Sequence, residues 1–416
     1  MTVYALVDCN NFYVSCERSF NPKLRQQPVI VLSSNDGCVV ARSNEAKALG
    51  IKMGVPYFQI KGLVEAERVH VFSSNFILYG DMSARVMSIL GEFSNEMEVY
   101  SVDEAFLNLE GFSGLKSYAE EIRARVLQWT GIPVSIGVGS TKTMAKLANG
   151  IAKQHMRSGI FSLLDENVRL RAYRKLPVNE VWGIGKKTAQ CLNTLQIFTI
   201  EDFVKMDPSH LRQQLNIAAV KTQSELQGIS CIAEGERDQE AQSLTSSRSF
   251  SRAVQSLDEL KASVTLHISK IAATLRKNKR AIRSLYVYAE ASRFAGSPFH
   301  FGCTVSLPYS SSSTAPLLQI ALSGLTSIYD PSVIYKKTGI LIQELLPEGH
   351  LAQDLFTQEE NPRQQQLSQL MDQVNAKFGR DQLFHGSMGI ARDWLPNHSQ
   401  RSRHFTTSLN EVMEVS

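Results

Sequence analysis

The 416-residue chain has only six cysteines, at positions 9, 16, 38, 191, 231 and 303, and no two of them form a CxxC pair. That scatter excludes a disulfide framework and a cysteine-based structural zinc site. Long apolar runs are missing too. No stretch approaches the roughly 18 residues of a membrane span, so no membrane partner is expected. The N-terminal MTVYALVDCNNFY has no basic leader, and its apolar run stops at Asp8, which reads as a strand rather than a signal peptide. A reducing cytoplasm is the expected location. A strong charge bias is also absent. The net charge of +4 permits nucleic-acid binding without demanding it, so the distribution of charge must decide. No internal repeat is present. What remains is an ordinary globular composition, 43% hydrophobic and 20% charged, in a chain long enough for several domains.

The runs VYALV (3–7) and PVIVL (28–32) predict strands, the second closed by the turn cluster SSNDG, and NEAKALG predicts a helix stopped by Gly50. Met82, Val86, Ile89, Leu90 and Phe93 fall at helical spacing. A helix through Tyr118–Trp129, a strand PVSIGVG (133–139) and a helix with Met144, Leu147, Ala148 and Ile151 on one face follow. Strands and helices without a parallel-crossover rhythm predict an α+β domain. Short helices run from about 170 to 230. The polar stretch 232–243 reads as a linker. Beyond it, the strand SRSF, a long helix (Leu260, Val264, Ile268, Ile271, Leu275) and the strands RSLYVYAEA, HFGCTVSLP and TGILIQELL predict a second α+β domain. The remainder, from about 348, is polar apart from a compact element around 371–395.

Residues 99–109, VYSVDEAFLNL, set Asp103 and Glu104 side by side among Tyr100, Val102, Ala105 and Phe106. Two carboxylates about 4 Å apart repel by roughly 4 kcal/mol at an effective dielectric near 20. Burial among apolar neighbours adds to that unless a cation answers them. The strand-like stretches 96–102 and 105–109 most economically form a hairpin with both acids at its bend. A bend can aim both at one point, whereas neighbours in a straight strand face opposite sides. Asp8 ends the first strand and can converge with them. Any one of these acids alone reads as a solvated turn residue; three in apolar flanks do not. Hard oxygen ligands without His or Cys favour Mg²⁺. Three carboxylates with two Mg²⁺ retain positive charge for phosphate oxygens, the arrangement used for in-line phosphoryl transfer.

DCNNFYVSCE, YSVDEAFLNL and IGVGSTKTMAKLA, with NDGCVVAR, EAKALG, VWGIG and the C-terminal FTT run, resemble the Y-family translesion DNA polymerases, and among them the UmuC type. The likeness covers essentially the whole chain. It implies an α+β multidomain right-hand polymerase: palm 1–20 and 80–168, fingers 21–79, a small helical thumb 169–231 with a helix-hairpin-helix, a linker 232–243, an α+β little finger 244–347, and a clamp- and partner-binding tail 348–416. It implies catalytic acids at Asp8, Asp103 and Glu104, which with the Cys9 backbone carbonyl hold two Mg²⁺, and dNTP substrates. Tyr13 falls on the steric gate, where a ring under the incoming sugar leaves no room for a 2′-hydroxyl. Phe12 would pack beside the sugar, and Asn11 shares that nucleotide-binding turn. Lys153 matches a lysine that contacts the triphosphate. Lys47 stands where other members often carry Arg, Asn44 replaces a frequent Tyr, and Arg42 is a local substitute. Cys38 and Val40 would roof the nascent base pair, small enough to tolerate distorted templates.

IGVGSTKT fails the P-loop pattern, because Thr141 stands where Gly should precede the lysine. It reads as a strand-to-helix turn with Lys142 and Lys146 near DNA. In VWGIGKK (181–187), Gly183 and Gly185 open a helix whose N–H groups suit a phosphate, and Lys186 and Lys187 add sequence-independent attraction. RKNKRAIR (276–283) sets Arg276, Lys277, Lys279, Arg280 and Arg283 ahead of a strand bearing Tyr286 and Tyr288, and Arg248 is assigned to the same DNA-tracking surface. Gln353, Leu355 and Phe356 of LAQDLF suit a hydrophobic groove and resemble a short β-sliding-clamp peptide. Residues 371–394 and the end with Arg401, Arg403, His404 and Phe405 resemble the region that binds the processed UmuD-type dimer. A RecA filament is a further implied partner. Nothing resembles a proofreading exonuclease. The expected activity is therefore error-prone, template-directed synthesis on primer-template DNA past lesions in the SOS DNA-damage response. The rivals are a palm-fold metal-dependent nuclease or cyclase and a non-catalytic DNA- and clamp-binding scaffold.

Overall fold

The computed structural model describes residues 2–232, 241–292, 299–348, 361–379, 381–390, 392–396 and 398–413. The chain forms two units, Met1–Gln239 with Ser399–Ser416, and Glu240–His398.

In the first unit, β1 (Tyr4–Cys9) is buried along its whole length and lies at the centre of a five-stranded sheet. The chain turns at Asn11, which takes a left-handed conformation, into α1 (Phe12–Phe20). Next come β2 (Val29–Leu32), β3 (Val39–Arg42), α2 (Asn44–Ala48), α3 (Tyr57–Ala66) and β4 (His70–Ser73). These strands form a separate sheet in the order β3-β2-β4 over a small core of Ile30, Leu32, Val39, Ile51 and Val64. α4 (Phe76–Leu90) leads back to β5 (Met97–Val99) and β6 (Glu104–Asn108), and the predicted hairpin is present, with Val99 opposite Ala105. α5 (Leu115–Thr130), β7 (Val134–Gly139), α6 (Lys142–His155) and β8 (Ile160–Ser162) complete the sheet in the order β5-β6-β1-β7-β8. Gly137 and Gly139 let α6 lie directly on β7. A Cβ on Gly137 would stand 2.0 Å from the Asn149 nitrogen.

Five short helices follow: α7 (Glu166–Lys175), α8 (Lys186–Thr194), α9 (Ile200–Lys205), α10 (Pro208–Gln214) and α11 (Ile217–Leu226). They close over Tyr173, Val178, Leu192, Phe203 and Leu211.

The second unit holds a five-stranded antiparallel sheet: β9 (Leu244–Val254), β10 (Arg280–Ala291), β11 (His300–Ser311) and β12 (Tyr335–Ile342) run in the order β11-β10-β12-β9, and the short β13 (Leu346–Pro347) pairs with β10 off that path. Alternate residues Leu285, Val287 and Ala289 of β10 join the core formed with α12 (Leu257–Lys277) and α13 (Thr314–Ile328). Tyr286 and Tyr288 therefore take the opposite face, where Tyr286 is half-buried and Tyr288 is 8% exposed.

The segment expected to be a single tail is divided. α14 (Pro362–Phe378) is tied to α12 by a two-pronged Arg276–Asp372 pair at 2.6 and 2.8 Å. Trp394 is 1% exposed in the core of the second unit, edge-on to Phe250. Residues 399–413 belong to the first unit instead, where Phe405 stacks on Phe20 at 4.8 Å. Among the described residues, no helix is long and apolar enough to cross a membrane.

Candidate active site

The N–H groups of Tyr100 and Ser101 both donate to the Glu104 carbonyl, at 3.0 and 3.1 Å, which closes the bend; Asp103 lies on that bend, and Glu104, expected there too, is instead the first residue of β6. Strand register sets Asp8 directly opposite Glu104 across β1 and β6. The Cys9 N–H donates to the Asp103 carbonyl at 2.8 Å. Two distant stretches of sequence thus bring three acids to one end of the sheet.

The cations that answer them are lysines of α6. Lys153 Nζ pairs with Asp8 Oδ2, and Lys146 Nζ pairs with Glu104 Oε2 at 2.7 Å. Seven residues apart, the two lysines share one helix face. Lys146 also sits 4.1 Å from the centre of the Tyr100 ring. Burial raises the Asp8 carboxyl to about 7, helped by its hydrogen bond with Glu104 and opposed by Lys153. Burial pushes Glu104 the same way, but the Asp8 hydrogen bond and then Lys146 outweigh it, so its carboxyl lies below the ordinary range. Asp103 accepts the Ser101 hydroxyl at 2.6 Å. The Cys9 thiol is pushed up by burial, then by Asp8 and Asp103, and so is an inert packing group.

Asp8 Oδ1 is buried without a hydrogen-bond partner, and the side chains of Asp8, Asp103 and Glu104 offer oxygen ligands only. That chemistry fits a hard divalent cation. Among the described residues the acid side chains are not gathered as a ready metal cluster. Lys153, Lys146 and Ser101 engage them, and those contacts must exchange when a cation binds.

Facing the acids is a cluster of positive charge. Lys47 Nζ donates to Asn11 Oδ1 at 2.7 Å and to Asn44 Oδ1 at 3.2 Å. Its ammonium is held below the ordinary lysine range by burial, then by Arg42 and Lys153. Three cations from β3, α2 and α6 therefore repel one another across a small space, and an anion relieves that repulsion. Arg42 also donates to the Ile51 carbonyl. In β3, Val39 and Ala41 are buried while Val40 and Arg42 are half-buried, so Val40 and Arg42 share the other face, and Cys38 precedes them in phase.

Tyr13 stacks on Tyr79 at 4.4 Å and meets Phe76 edge-on at 6.0 Å. Its hydroxyl is raised by burial, then by Asp103, which places it beside the acids. Phe12 differs from expectation. It is 4% exposed in the main core and is not offered to a sugar.

Four of the cations assigned to DNA are also placed otherwise. Lys142 is 1% exposed, its ammonium 2.5 Å from Glu98, so it is not presented to a phosphate. Lys146 is engaged by Glu104. Arg276 spends its guanidinium on Asp372 and on the Ser312 carbonyl at 2.6 Å. Arg248 lies opposite Thr338, which is buried and bonded to Ser263 of α12. It therefore lies on the α12 side of the sheet, away from Tyr286 and Tyr288. Lys186, Lys187, Lys277, Lys279 and Arg283 are exposed, and Arg280 is half-buried. Gly183, at φ 89°, makes the turn before α8, and Gly185 is the N-cap of that helix. Gln353, Leu355 and Phe356 lie outside the described residues.

Sequence reasoning missed Glu17 and Tyr79. Glu17 is 2% exposed and accepts the Tyr79 hydroxyl at 2.7 Å. The available signal was a carboxylate four residues after Tyr13 on the packed face of α1.

Family models described as the impB/mucB/samB family and as its C-terminal domain match residues 7–150 and 241–355. A model described as a domain of unknown function (DUF4113) matches 365–415. Protein ImpB of Salmonella typhimurium is 35% identical, with 99% of each chain covered. Protein UmuC of Salmonella typhimurium is 34% identical, with 99% of this chain and 100% of that one covered. DNA polymerase IV of Bacillus velezensis is 27% identical over 92% of each. Among solved structures, the Y-family DNA polymerase chimera Dbh-Dpo4(243-245)-Dbh aligns with a TM-score of 0.66 at 19% identity, over 83% of this chain and 100% of that one. At that identity the likeness speaks for the fold alone.

Proposed function

Because the chain belongs to the impB/mucB/samB family, of the UmuC type within the Y-family polymerases, we propose that it extends a primer on a DNA template past damaged bases. It is a DNA-directed DNA polymerase of the translesion class. The observation that carries this reading is the register that sets Asp8 against Glu104, with Asp103 bonded to the next peptide and a cluster of cations facing them.

In the reaction the primer 3′-oxygen forms a bond to the α-phosphorus of a dNTP, the bond to pyrophosphate breaks, and the 3′-hydroxyl gives up its proton. Asp8, Asp103, Glu104 and the Cys9 carbonyl would hold two Mg²⁺, which supply charge that lowers the pKa of the hydroxyl and steadies the leaving pyrophosphate. Lys153, Lys47 and Arg42 neutralise the triphosphate, and Asn11 and Asn44 orient Lys47. Tyr13 lies under the sugar and refuses a 2′-hydroxyl. Cys38 and Val40 roof the new base pair with small side chains, which admits a distorted template. Lys186, Lys187 and the N–H groups that open α8 bind backbone phosphate without reading sequence. Lys277, Lys279, Arg280 and Arg283 add charge of the same kind.

The SOS response, the β clamp at residues 351–356, the processed UmuD-type dimer and the RecA filament complete the proposal as its cellular setting. The division of residues 361–413 between the two units makes a single contiguous docking tail for the dimer less economical than two separate patches.

Primer extension with purified protein and Mg²⁺ tests the reading. The primer is expected to lengthen on intact and lesion-bearing templates, and Asp103→Ala to slow it by about a thousandfold. A shortened primer would identify a nuclease. A cellular effect retained by Asp103→Ala would identify a scaffold.

A further inference from the structure

Helix α1 carries Tyr13, Glu17 and Phe20 along one face, spaced by four and three residues. Tyr13 stacks on Tyr79 of α4. Glu17 Oε1 accepts the Tyr79 hydroxyl at 2.7 Å and the Ser402 hydroxyl at 3.0 Å. Phe20 stacks on Phe405, with the rings 12° from parallel. The α4 side is gripped as well. Asn75, the N-cap of α4 and 1% exposed, donates its amide to the Ser402 carbonyl at 3.1 Å, the Ser402 hydroxyl at 3.0 Å and the Arg403 carbonyl at 3.2 Å. Ser73 and Gln400 exchange two further bonds, each of 3.1 Å. The segment 400–405 is thus stitched to both helices that hold the Tyr13 ring.

We propose that this C-terminal segment is a working part of the sugar gate. Ser402 is a positioning residue: it fixes Glu17, Glu17 fixes the Tyr79 hydroxyl, and Tyr79 backs the ring of Tyr13. A gate that excludes one oxygen atom must not yield by about an ångström, so it is only as stiff as the group behind it. The inference rests on Tyr13 being the gate. It gives a task to residues within 365–415, the part of the chain matched by a domain of unknown function.

The test is the ratio of kcat/KM for a dNTP to that for the matching rNTP, measured on full-length protein with Mg²⁺. Ser402→Ala and Tyr79→Phe are each expected to lower this ratio roughly three- to tenfold, the range spanned by one hydrogen bond. Ser402→Thr, which keeps the hydroxyl, is expected to restore it. Tyr13→Ala is expected to lower it further. If Tyr13→Ala relaxes discrimination while Ser402→Ala and Tyr79→Phe leave it within twofold, this inference is overturned and the gate stands. If Tyr13→Ala changes nothing, the gate reading falls and the inference falls with it. Should Ser402→Ala lose its fold in a thermal melt, Tyr79→Phe decides alone.

Discussion

A carboxylate inside a core is expensive unless it stays neutral or is paired. Glu17 has two hydroxyl donors, yet burial outweighs them and raises its carboxyl from 4.5 to about 6. Below about pH 4.5 the group is protonated in the folded and unfolded states alike, and its share of stability is present in full. As pH rises through about 6 the folded protein must carry a buried charge, and that share, about 2 kcal/mol, is lost. Glu17→Gln keeps an acceptor oxygen without the charge. It is expected to stabilise the first unit by up to about 2 kcal/mol at pH 8 and not at pH 4, as read from urea unfolding at both pH values. An equal gain at both would show that charge is not the cause. Lys142, Lys146 and Arg276, which sequence reasoning assigned to DNA, share one feature: their partners are remote. Lys142 is neutralised by Glu98 and Arg276 by Asp372, and no local pattern announces either pairing. Asp8, Asp103 and Glu104 were legible because carboxylates in apolar flanks demand a counter-charge. That the charge comes from Lys146 and Lys153 was not.

Among the elements, the hairpin of β5 and β6 could be read directly, since two β-type runs separated by a few residues have little other choice. What no period or propensity shows is how closely α6 lies on the sheet. That distance is set by Gly137 and Gly139. A Cβ at Gly137 would meet the Asn149 nitrogen at 2.0 Å and the Ala145 oxygen at 2.3 Å, both backbone atoms that cannot swing aside. Gly137→Ala must therefore push α6 outward, and α6 carries the lysines that pair with Asp8 and Glu104. The expected loss is about 3 kcal/mol of stability, with primer extension falling together with it. Thermal unfolding and extension assays at 20 °C check both. A variant with wild-type melting would mean that the helix moves away at little cost.

At the scale of the molecule, the sequence suggested a polar tail hanging from the second α+β domain, and the chain instead returns to the first unit at Ser399. The tail escaped pattern reasoning because its anchors are single side chains, Ser402 and Phe405, in an aperiodic stretch. The same limit governs the basic residues. A run such as RKNKRAIR looks uniform in sequence, yet Arg276 is a structural strut while Lys277, Lys279 and Arg283 are exposed. Salt titration separates the two kinds. Each phosphate contact contributes roughly 0.9 to the slope of log K against log salt on duplex DNA. Replacing Lys186 and Lys187 together by alanine is expected to weaken binding equally on unrelated sequences and to flatten the slope by about 2. Arg276→Ala is expected to leave the slope unchanged and to lower the melting temperature of the second unit by about 5 °C, because Asp372 and the Ser312 carbonyl lose their donor. A flattened slope with unchanged melting in Arg276→Ala would return that residue to the DNA surface.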